Sequence, residues 1–313
     1  MSQPISKIPI TVIVGPTAVG KTAFSIAFAK LIQAEIVSAD SRYFYRGMNI
    51  GTAKPSVEEM QGIPHHLIDV AEPDQTWSLA LFQQKAHAAI LDIHQRGKNV
   101  LVVGGTGQYI RAVLEGWSPP ELTPDLPMRK ALEAWAEAIG PEDLHRKLSC
   151  IDPAAAAKID YQNVRRTIRA FEVIFKSGEL FSAQRKQVDS PYQPLVIGLT
   201  RPRAELYERI DRRIDQMFEN GFVNEVRGLL DRGFSPELPS MSAIGYREVS
   251  AYLRQEISLE EAVLQIRRGT RNYVRRQANW FKGSDPQIHW YDLSDQGREA
   301  KSCRFSLKPG DSK

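Results

Sequence analysis

The sequence predicts an α/β fold in which a parallel sheet carries helices on both faces and an all-helical domain is inserted between two strands. Three observations support this prediction. A glycine-rich motif follows the first apolar run of the chain. Short apolar runs then alternate with segments of helical periodicity, as in doubly wound folds. Finally, the stretch from about 120 to 186 contains helical patterns and no convincing strand.

The glycine-rich motif occupies residues 15–22 and fits G-x-x-x-x-G-K-[ST] at every fixed position. It lies between the apolar run Ile8–Val14 and a segment of helical spacing, which is the context that a P-loop requires. The core is therefore predicted to be P-loop NTPase-like. Its Lys21 adds a positive charge, and the hydroxyl of Thr22 can hold Mg²⁺. The residues predicted to contact a diphosphate or triphosphate are Gly15, Thr17, Ala18, Val19, Gly20, Lys21 and Thr22.

Further short apolar runs predict the other strands, and apolar stripes predict helices between them. The predicted strands are Glu35–Ala39, Asn99–Val103, Leu195–Leu199 and Gln287–Trp290. The predicted helices include 78–93, 205–218 and a long C-terminal helix, which Ser258 and Glu261 open in a capping-box pattern.

The middle of the chain predicts a separate domain. The proline-rich stretch from Trp117 to Pro127 indicates a linker, and Pro127 and Pro141 fit first turns of helices. Gly140 and Gly178 fit helix ends. The predicted division is a core of 1–118 and 190–298, a helical insertion of 119–189 and a disordered tail of 299–313.

Composition narrows the class of protein. The chain has 313 residues, a net charge of +4 and two cysteines far apart, Cys150 and Cys303. Two isolated cysteines form neither a disulfide framework nor a zinc site. No run of 18 apolar residues occurs, so we expect no membrane span and a cytoplasmic location.

Charge distribution is more informative than net charge. No acidic residue occurs between Glu261 and Asp285, and six basic residues lie among three aromatic ones there. Such a segment is either a nucleic-acid contact or a solvated helix face. The residues Ala262, Ile266, Tyr273 and Gln277 mark one face of the predicted helix, whereas Arg268, Arg271 and Arg275 mark another.

Two predicted strand ends carry further candidate groups. In open α/β sheets, ligands bind at the carboxyl ends of strands, so both ends should lie near the P-loop. Asp40 follows one of them and is a general base, a Mg²⁺ neighbour or a helix N-cap. The other ends in Gly104-Gly105-Thr106-Gly107. An ATPase usually places an Asp where Gly104 stands, so this end argues against ATP hydrolysis.

An ordered series of segments is similar to the family of bacterial tRNA dimethylallyltransferases. The resemblance runs from about residue 8 to 293. Its segments are 40–41, 45–55, 65–69, 104–107, 169–172, 243–247 and 275–277.

The resemblance implies transfer of a dimethylallyl group from dimethylallyl diphosphate to the exocyclic amine of the adenosine 3′-adjacent to the anticodon. It implies that Asp40 takes the amine proton. Thr106 donates to the oxygen that bridges carbon and phosphorus, and Arg213 reaches the diphosphate. Mg²⁺ on Thr22 is the implied cofactor. The acceptor base is expected to be flipped into the site.

The implied partner is the anticodon stem-loop of tRNA, bound by a monomer, with the helical insertion closing over the loop. The residues implied to contact tRNA are Ser41, Arg42, Tyr43, Arg165, Arg166, Arg169, Gly245, Tyr246, Arg247, Arg275, Arg276 and Gln277. Arg42 and Tyr43 depart from the pattern of the family, in which a small residue or Met precedes a base-reading Gln. Residues 160–163 depart as well.

Three alternatives stay open on sequence alone. An adenylate isopentenyltransferase would share the P-loop and Asp40 but would not need the insertion or the arginine-rich helix. A small-molecule kinase would transfer the γ-phosphate of ATP. An RNA-binding protein with a degenerate P-loop would bind tRNA without turnover.

Overall fold

The computed structural model describes residues 7–116, 125–183 and 189–294. These residues pack into two compact units: a core unit, which extends up to Leu114 and resumes at Pro191, and a helical unit within Glu115–Ser190. Most of the predicted linker and the whole predicted tail lie outside the described residues, so the exact domain boundaries remain predictions.

The core unit is built on a six-stranded sheet in which all neighbouring strands are parallel. Its strands are β1 (Ile8–Val14), β2 (Ala34–Ser38), β3 (His65–His66), β4 (Asn99–Val103), β5 (Tyr192–Thr200) and β6 (Ile288–Asp292). Their order across the sheet is β3-β2-β4-β1-β5-β6. The predicted parallel α/β sheet is confirmed. The sequence did not indicate β3, because two residues are too few to show a periodicity.

The helices of the described residues separate the strands and form the helical unit. In chain order they are α1 (Lys21–Ile32), α2 (Val57–Met60), α3 (Leu79–Gln95), α4 (Gly107–Leu114), α5 (Leu126–Ile139), α6 (Pro141–Ile151), α7 (Pro153–Ala156), α8 (Val164–Ser177), α9 (Arg203–Glu219), α10 (Phe222–Asp231), α11 (Tyr246–Leu253) and α12 (Leu259–Ala278). In the described ranges, each helix is too short or too polar to pass through a bilayer.

The sheet is covered on both faces because its strands alternate apolar side chains between two cores. In β1, Ile13 packs into a cluster with α1 and α9–α12, whereas Val12 and Val14 pack into a second cluster with α3 and α4. The long helices begin where the sequence predicts. The hydroxyls of Ser78 and Ser258 accept hydrogen bonds from the third residue beyond each, which caps α3 and α12.

The helical unit consists of α5–α8 around a small apolar core that includes Leu144, Leu148 and Phe171. As predicted, prolines occupy the first turns of α5 and α6, and Gly178 ends α8 at a positive φ of 71°. Within this core lies the carboxylate of Glu172, whose side chain is fully buried.

Two arginines neutralise this buried carboxylate. Glu172 accepts from Arg129 at 2.7 Å, from Arg169 at 2.8 Å and from the backbone N–H of Asp125 at 3.0 Å. Although burial favours the neutral acid, these hydrogen bonds lower the pKa of Glu172 from 4.5 to about 2. The ionised form therefore joins α5 to α8.

The substitution Glu172→Gln is expected to destabilise the helical unit by about 3 kcal/mol at neutral pH, because two arginines lose their buried partner. Since the folded pKa lies below the unfolded one, the wild-type contribution is present above pH 4.5 and is lost as pH falls towards 2. Hydrogen exchange of α5 and α8 amides across that range measures both effects. The exposed Glu133→Gln is the control. An unchanged pH dependence in Glu172→Gln would contradict this account.

Candidate active site

Three neighbouring strands, β2, β4 and β1, end at the same edge of the sheet and deliver the predicted groups together. The P-loop follows β1, Asp40 follows β2, and the segment 104–107 follows β4. A cavity of about 800 Å³ opens there. Its lining includes Thr17, Ala18, Gly20, Lys21, Thr22, Asp40, Tyr43, Arg209, Arg212 and Arg213. Most of the predicted diphosphate and catalytic residues therefore share one cavity.

The P-loop is compact at the N-terminus of α1. Gly15 leaves no room for a side chain, since a Cβ there would lie 2.6 Å from the carbonyl oxygen of Leu199. Ala18 and Gly20 both have positive φ, 66° and 109°. These turns bring successive backbone N–H groups to a helix N-terminus, which is where proteins bind phosphate.

Lys21 lies against the loop and donates to the carbonyl oxygens of Gly15 at 3.0 Å and Pro16 at 2.9 Å. Burial, opposed by Asp40 and assisted by the nearby Arg213 cation, lowers the pKa of Lys21 from 10.5 to about 8. A bound anion would relieve this cost of burying positive charge, so the site is electrostatically suited to diphosphate.

Three side chains from the C-terminal half of the core unit hold the P-loop backbone. Arg201 donates through Nε to the carbonyl of Val19 at 2.9 Å, and Arg209 donates to that of Ala18 at 2.8 Å. The amide oxygen of Gln277 accepts from the N–H of Thr17 at 2.9 Å. The predicted anion donor at Thr17 is therefore engaged inside the protein, and the side chain of Val19 is fully buried.

Asp40 projects into the cavity and is oriented by its own turn. Its Oδ1 accepts from the backbone N–H of Arg42 at 3.0 Å. The turn does not lead into a helix, because the next helix along the chain, α2, begins only at Val57. The helix N-cap alternative for Asp40 is therefore wrong.

The segment 104–107 is shaped by contacts on both sides. A Cβ on Gly104 would lie 2.5 Å from the carbonyl oxygen of Ala39, and one on Gly107 would lie 2.2 Å from the Trp280 ring. Between them, Thr106 accepts from the backbone N–H of Ser41 over 3.5 Å. Thr106 thus lies beside the turn that carries Asp40.

Among the three neighbouring arginines of α9, Arg213 is the one that interacts with both Lys21 and Tyr43. It donates to the carbonyl of Thr52 at 3.4 Å and also interacts with Tyr43. Arg212 is exposed at the cavity wall, whereas Arg209 holds the P-loop.

The two residues that depart from the family pattern have internal partners. Arg42 donates to the carbonyl oxygens of Pro239 at 3.0 Å and Ser240 at 3.3 Å. The hydroxyl of Tyr43 donates to the carbonyl of Ala53 at 2.9 Å, and burial raises the pKa of that hydroxyl. Both side chains therefore connect the turn after Asp40 to other segments of the core unit by hydrogen bonds.

The motif at 245–247 is divided between the interior and the surface. Tyr246 is fully buried and donates to Glu225 at 2.6 Å, so its ring offers no surface to RNA. Gly245 adopts a φ of 100° and donates to Glu248 at 2.7 Å. Arg247 pairs with Glu248 but keeps 68% of its side chain exposed. Of these three residues, only Arg247 presents an exposed side chain.

Glu225 supports the site from outside the cavity lining, and no pattern in the sequence predicted it. Its carboxylate accepts from three successive N–H groups, those of residues 49, 50 and 51, at 2.9, 2.7 and 3.1 Å. The carbonyl oxygens of the next two residues, Thr52 and Ala53, accept hydrogen bonds from Arg213 and Tyr43, respectively. Glu225 therefore shapes the loop that orients two residues of the cavity.

The arginine-rich helix α12 has two sets of arginines. Arg271 pairs with Asp211 and Arg267 pairs with Asp215, both on α9. The predicted face of Arg268, Arg271 and Arg275 is therefore divided, because this pairing turns Arg271 towards α9. The arginines that remain exposed along the helix are Arg268, Arg275 and Arg276.

The predicted RNA contacts Arg165, Arg166 and Arg169 lie in the helical unit. Arg165 and Arg166 are exposed in the first turn of α8. Arg169 is partly exposed and paired with Glu172. Only the first two are thus fully presented to solvent.

The donor set of the cavity suits a hard cation. Thr22 and Asp40 supply a hydroxyl and a carboxylate to the same cavity. No group of three or more His, Cys, Asp or Glu residues within the described ranges could hold a metal. Mg²⁺ commonly binds through one or two protein oxygens plus substrate phosphates and water, so these residues fit it.

Comparison with known proteins agrees with this geometry. The family described as IPP transferase matches residues 43–284. The tRNA dimethylallyltransferase of Thermomicrobium roseum is 48% identical over 310 residues, which cover 97% of this chain and 94% of that protein. The chain belongs to the IPP transferase family. The resemblance found in the sequence is confirmed.

Other IPP transferase relatives extend the agreement. The tRNA dimethylallyltransferase of Roseiflexus castenholzii is 52% identical over 88% of this chain and 90% of its own. A tRNA isopentenylpyrophosphate transferase structure from Bacillus halodurans is 43% identical, with a TM-score of 0.71 over 96% of this chain and 95% of that one. The structure of a eukaryotic dimethylallyltransferase acting on tRNA is 28% identical, with a TM-score of 0.80. The match covers 94% of this chain and 77% of that one.

The substitution Glu225→Ala is expected to free the N–H groups of residues 49–51 and raise their hydrogen-exchange rates at least tenfold. Removal of hydrogen bonds to a charged acceptor costs about 1.5–3 kcal/mol each, which predicts an effect of this size or larger. Mass-spectrometric exchange of the segment 46–56 measures it. Asp231→Ala, at the exposed end of the same helix, is the control. Equal protection in both variants would show that Glu225 does not shape the loop.

Proposed function

We propose that this IPP transferase moves a dimethylallyl group from dimethylallyl diphosphate to the exocyclic amine of the adenosine 3′-adjacent to the anticodon of tRNA, with release of diphosphate. The observation that carries the proposal is the shared cavity in which Asp40 faces the P-loop cation Lys21. The leaving diphosphate needs a nearby positive charge, and the departing proton needs a nearby base. Lys21 and Asp40 supply these two groups in one cavity.

The donor half of the reaction uses the P-loop. As the bond between the allylic carbon and the bridging oxygen breaks, negative charge grows on the diphosphate. Lys21, Arg213 and the N–H groups at the start of α1 are already oriented to stabilise that charge. Thr106 donates to the bridging oxygen. Thr22 would hold Mg²⁺, which would supply further charge neutralisation.

The acceptor half uses Asp40. The exocyclic amine of adenine is a weak nucleophile because its lone pair is delocalised into the ring. As its nitrogen bonds to the allylic carbon, Asp40 accepts one amine proton as a general base. The hydrogen bond from the N–H of Arg42 holds the carboxylate in one orientation, with its other oxygen left for this task.

RNA binding is assigned to exposed cations on both units. On the core unit these are Arg247, Arg275 and Arg276, and on the helical unit they are Arg165 and Arg166. Guanidinium groups pair with phosphates and stack on splayed bases, as recognition of an RNA loop requires.

A transfer assay tests the proposal directly. Labelled dimethylallyl diphosphate and Mg²⁺ are incubated with unmodified tRNA whose anticodon is followed by adenosines, with AMP and ATP-only reactions alongside. Label in tRNA alone is the expected result. Label in AMP alone would make the protein a nucleotide prenyltransferase, and phosphate transfer from ATP would make it a kinase. Tight tRNA binding without transfer from any donor would leave only an RNA-binding protein.

The substitution Asp40→Asn is expected to lower turnover roughly 10²-fold or more while tRNA affinity stays within twofold, since the amide keeps its shape but accepts no proton. Single-turnover transfer and filter binding measure the two quantities. Asp74→Asn removes an equal charge from the surface and is expected to change neither. A near-normal rate in Asp40→Asn would remove Asp40 from the proton transfer.

The double substitution Arg275→Gln/Arg276→Gln is expected to weaken tRNA binding and to flatten its dependence on salt by about one to two units of log–log slope. Each phosphate contact releases counterions from the RNA on binding, so the loss of two contacts reduces the number of counterions released. Titrations between 50 and roughly 200 mM salt give the slope. The equally discharged control is Lys85→Gln/Lys98→Gln. An unchanged slope would mean that the two arginines do not reach phosphate.

A further inference from the structure

One stripe of residues along α12 and just beyond it contacts the P-loop and the segment 104–107. Tyr273 forms a hydrogen bond with the side chain of Thr106, and Gln277 lies one helical turn further on. Trp280, just beyond the helix, packs against Gly107 closely enough to exclude a Cβ there. All three residues therefore contact the segment between Gly105 and Gly107.

Gln277 makes the central contact of this stripe. Only 4% of the residue is exposed. Its amide oxygen accepts from the N–H of Thr17 at 2.9 Å, and its amide nitrogen donates to the carbonyl of Gly105 at 3.0 Å. One side chain thus joins the P-loop after β1 to the loop after β4.

The fit around this amide is tight. A Cβ on Gly105 would lie 2.4 Å from Nε2 of Gln277 and 3.5 Å from Nζ of Lys21. The side chain that fixes Gly105 is thereby adjacent to the P-loop cation. The next residue after Gly105 is Thr106, so displacement of this carbonyl would move the Thr106 hydroxyl as well.

We propose that Gln277 is a positioning residue of the diphosphate site, which sets the relative placement of the P-loop and Thr106, and that it does not contact tRNA. This inference rests on the proposed function for its choice of ligand. It replaces the tRNA contact that the family resemblance implied for Gln277, because a buried amide with both ends bonded presents nothing to RNA. Its neighbours Arg275 and Arg276 are exposed, and they remain the proposed tRNA contacts of this segment.

The test is a comparison of two variants on one turn of α12. Gln277→Met keeps the length of the side chain but removes both hydrogen bonds. We expect at least tenfold weaker binding of inorganic diphosphate by calorimetry with Mg²⁺, a tenfold higher KM for dimethylallyl diphosphate and a lower kcat. The tRNA dissociation constant should stay within twofold. Arg276→Gln should give the opposite pattern, with weaker tRNA binding and unchanged diphosphate binding.

Two further variants separate positioning from loss of structure. Val274→Ala removes buried apolar contact from the same helix and should lower the unfolding temperature without changing diphosphate affinity. Gln277→Asn keeps the amide but is one methylene shorter, so it cannot span both partners and should resemble Gln277→Met. Hydrogen exchange at Thr17 should rise in both Gln277 variants and in neither of the others.

The outcomes distinguish this inference from the proposed function. Weaker tRNA binding in Gln277→Met, with diphosphate binding unchanged, would overturn the inference and restore a tRNA contact. If Val274→Ala lost as much diphosphate affinity as Gln277→Met, the effect would come from general destabilisation of the core. That result would overturn the positioning role of Gln277. Diphosphate affinity that depends on Gln277, in a wild-type protein that transfers nothing to tRNA, would contradict the proposed function alone.

Discussion

The shape of the P-loop depends on hydrogen bonds from residues far along the chain. Arg201, Arg209 and Gln277 hold its backbone across separations of 182, 191 and 260 residues. A loop that contains glycines can adopt many conformations, so holding it in one conformation costs conformational entropy. These contacts restrict the loop before substrate arrives, so the shape of the cavity depends on how the C-terminal part of the core unit packs against the sheet.

The same docking places opposite charges close together. Buried Lys21 has a pKa lowered to about 8, while Asp40 lies near enough to oppose that shift. The cations of the cavity are therefore held at an electrostatic cost that a bound diphosphate would remove. Preorganised charge of this kind favours a transition state in which charge develops, because no reorganisation is needed during the reaction.

Much of this could be predicted from the sequence because it is local. The P-loop motif, the buried strands and the cap at Ser258 each depend on neighbouring residues, and the sheet follows from them. The topology rule for strand ends then placed Asp40 beside Lys21. Glu225 escaped prediction because it acts on residues about 175 positions earlier, and no pattern near it in the sequence encodes that partner.

Gln277 and Tyr246 show how a motif can be recognised while the part played by its residues is misassigned. A resemblance marks where a family keeps particular residues, but it does not say whether a side chain points inward or outward. The helical pattern of α12 contained that information, since it placed Gln277 on the same face as Ala262 and Ile266, which are buried. A polar residue on a buried stripe needs hydrogen-bond partners inside the protein. The degree of burial therefore indicates which residues can meet a partner: Arg276 is exposed, whereas Gln277 lies inside the protein between the P-loop and the segment 104–107.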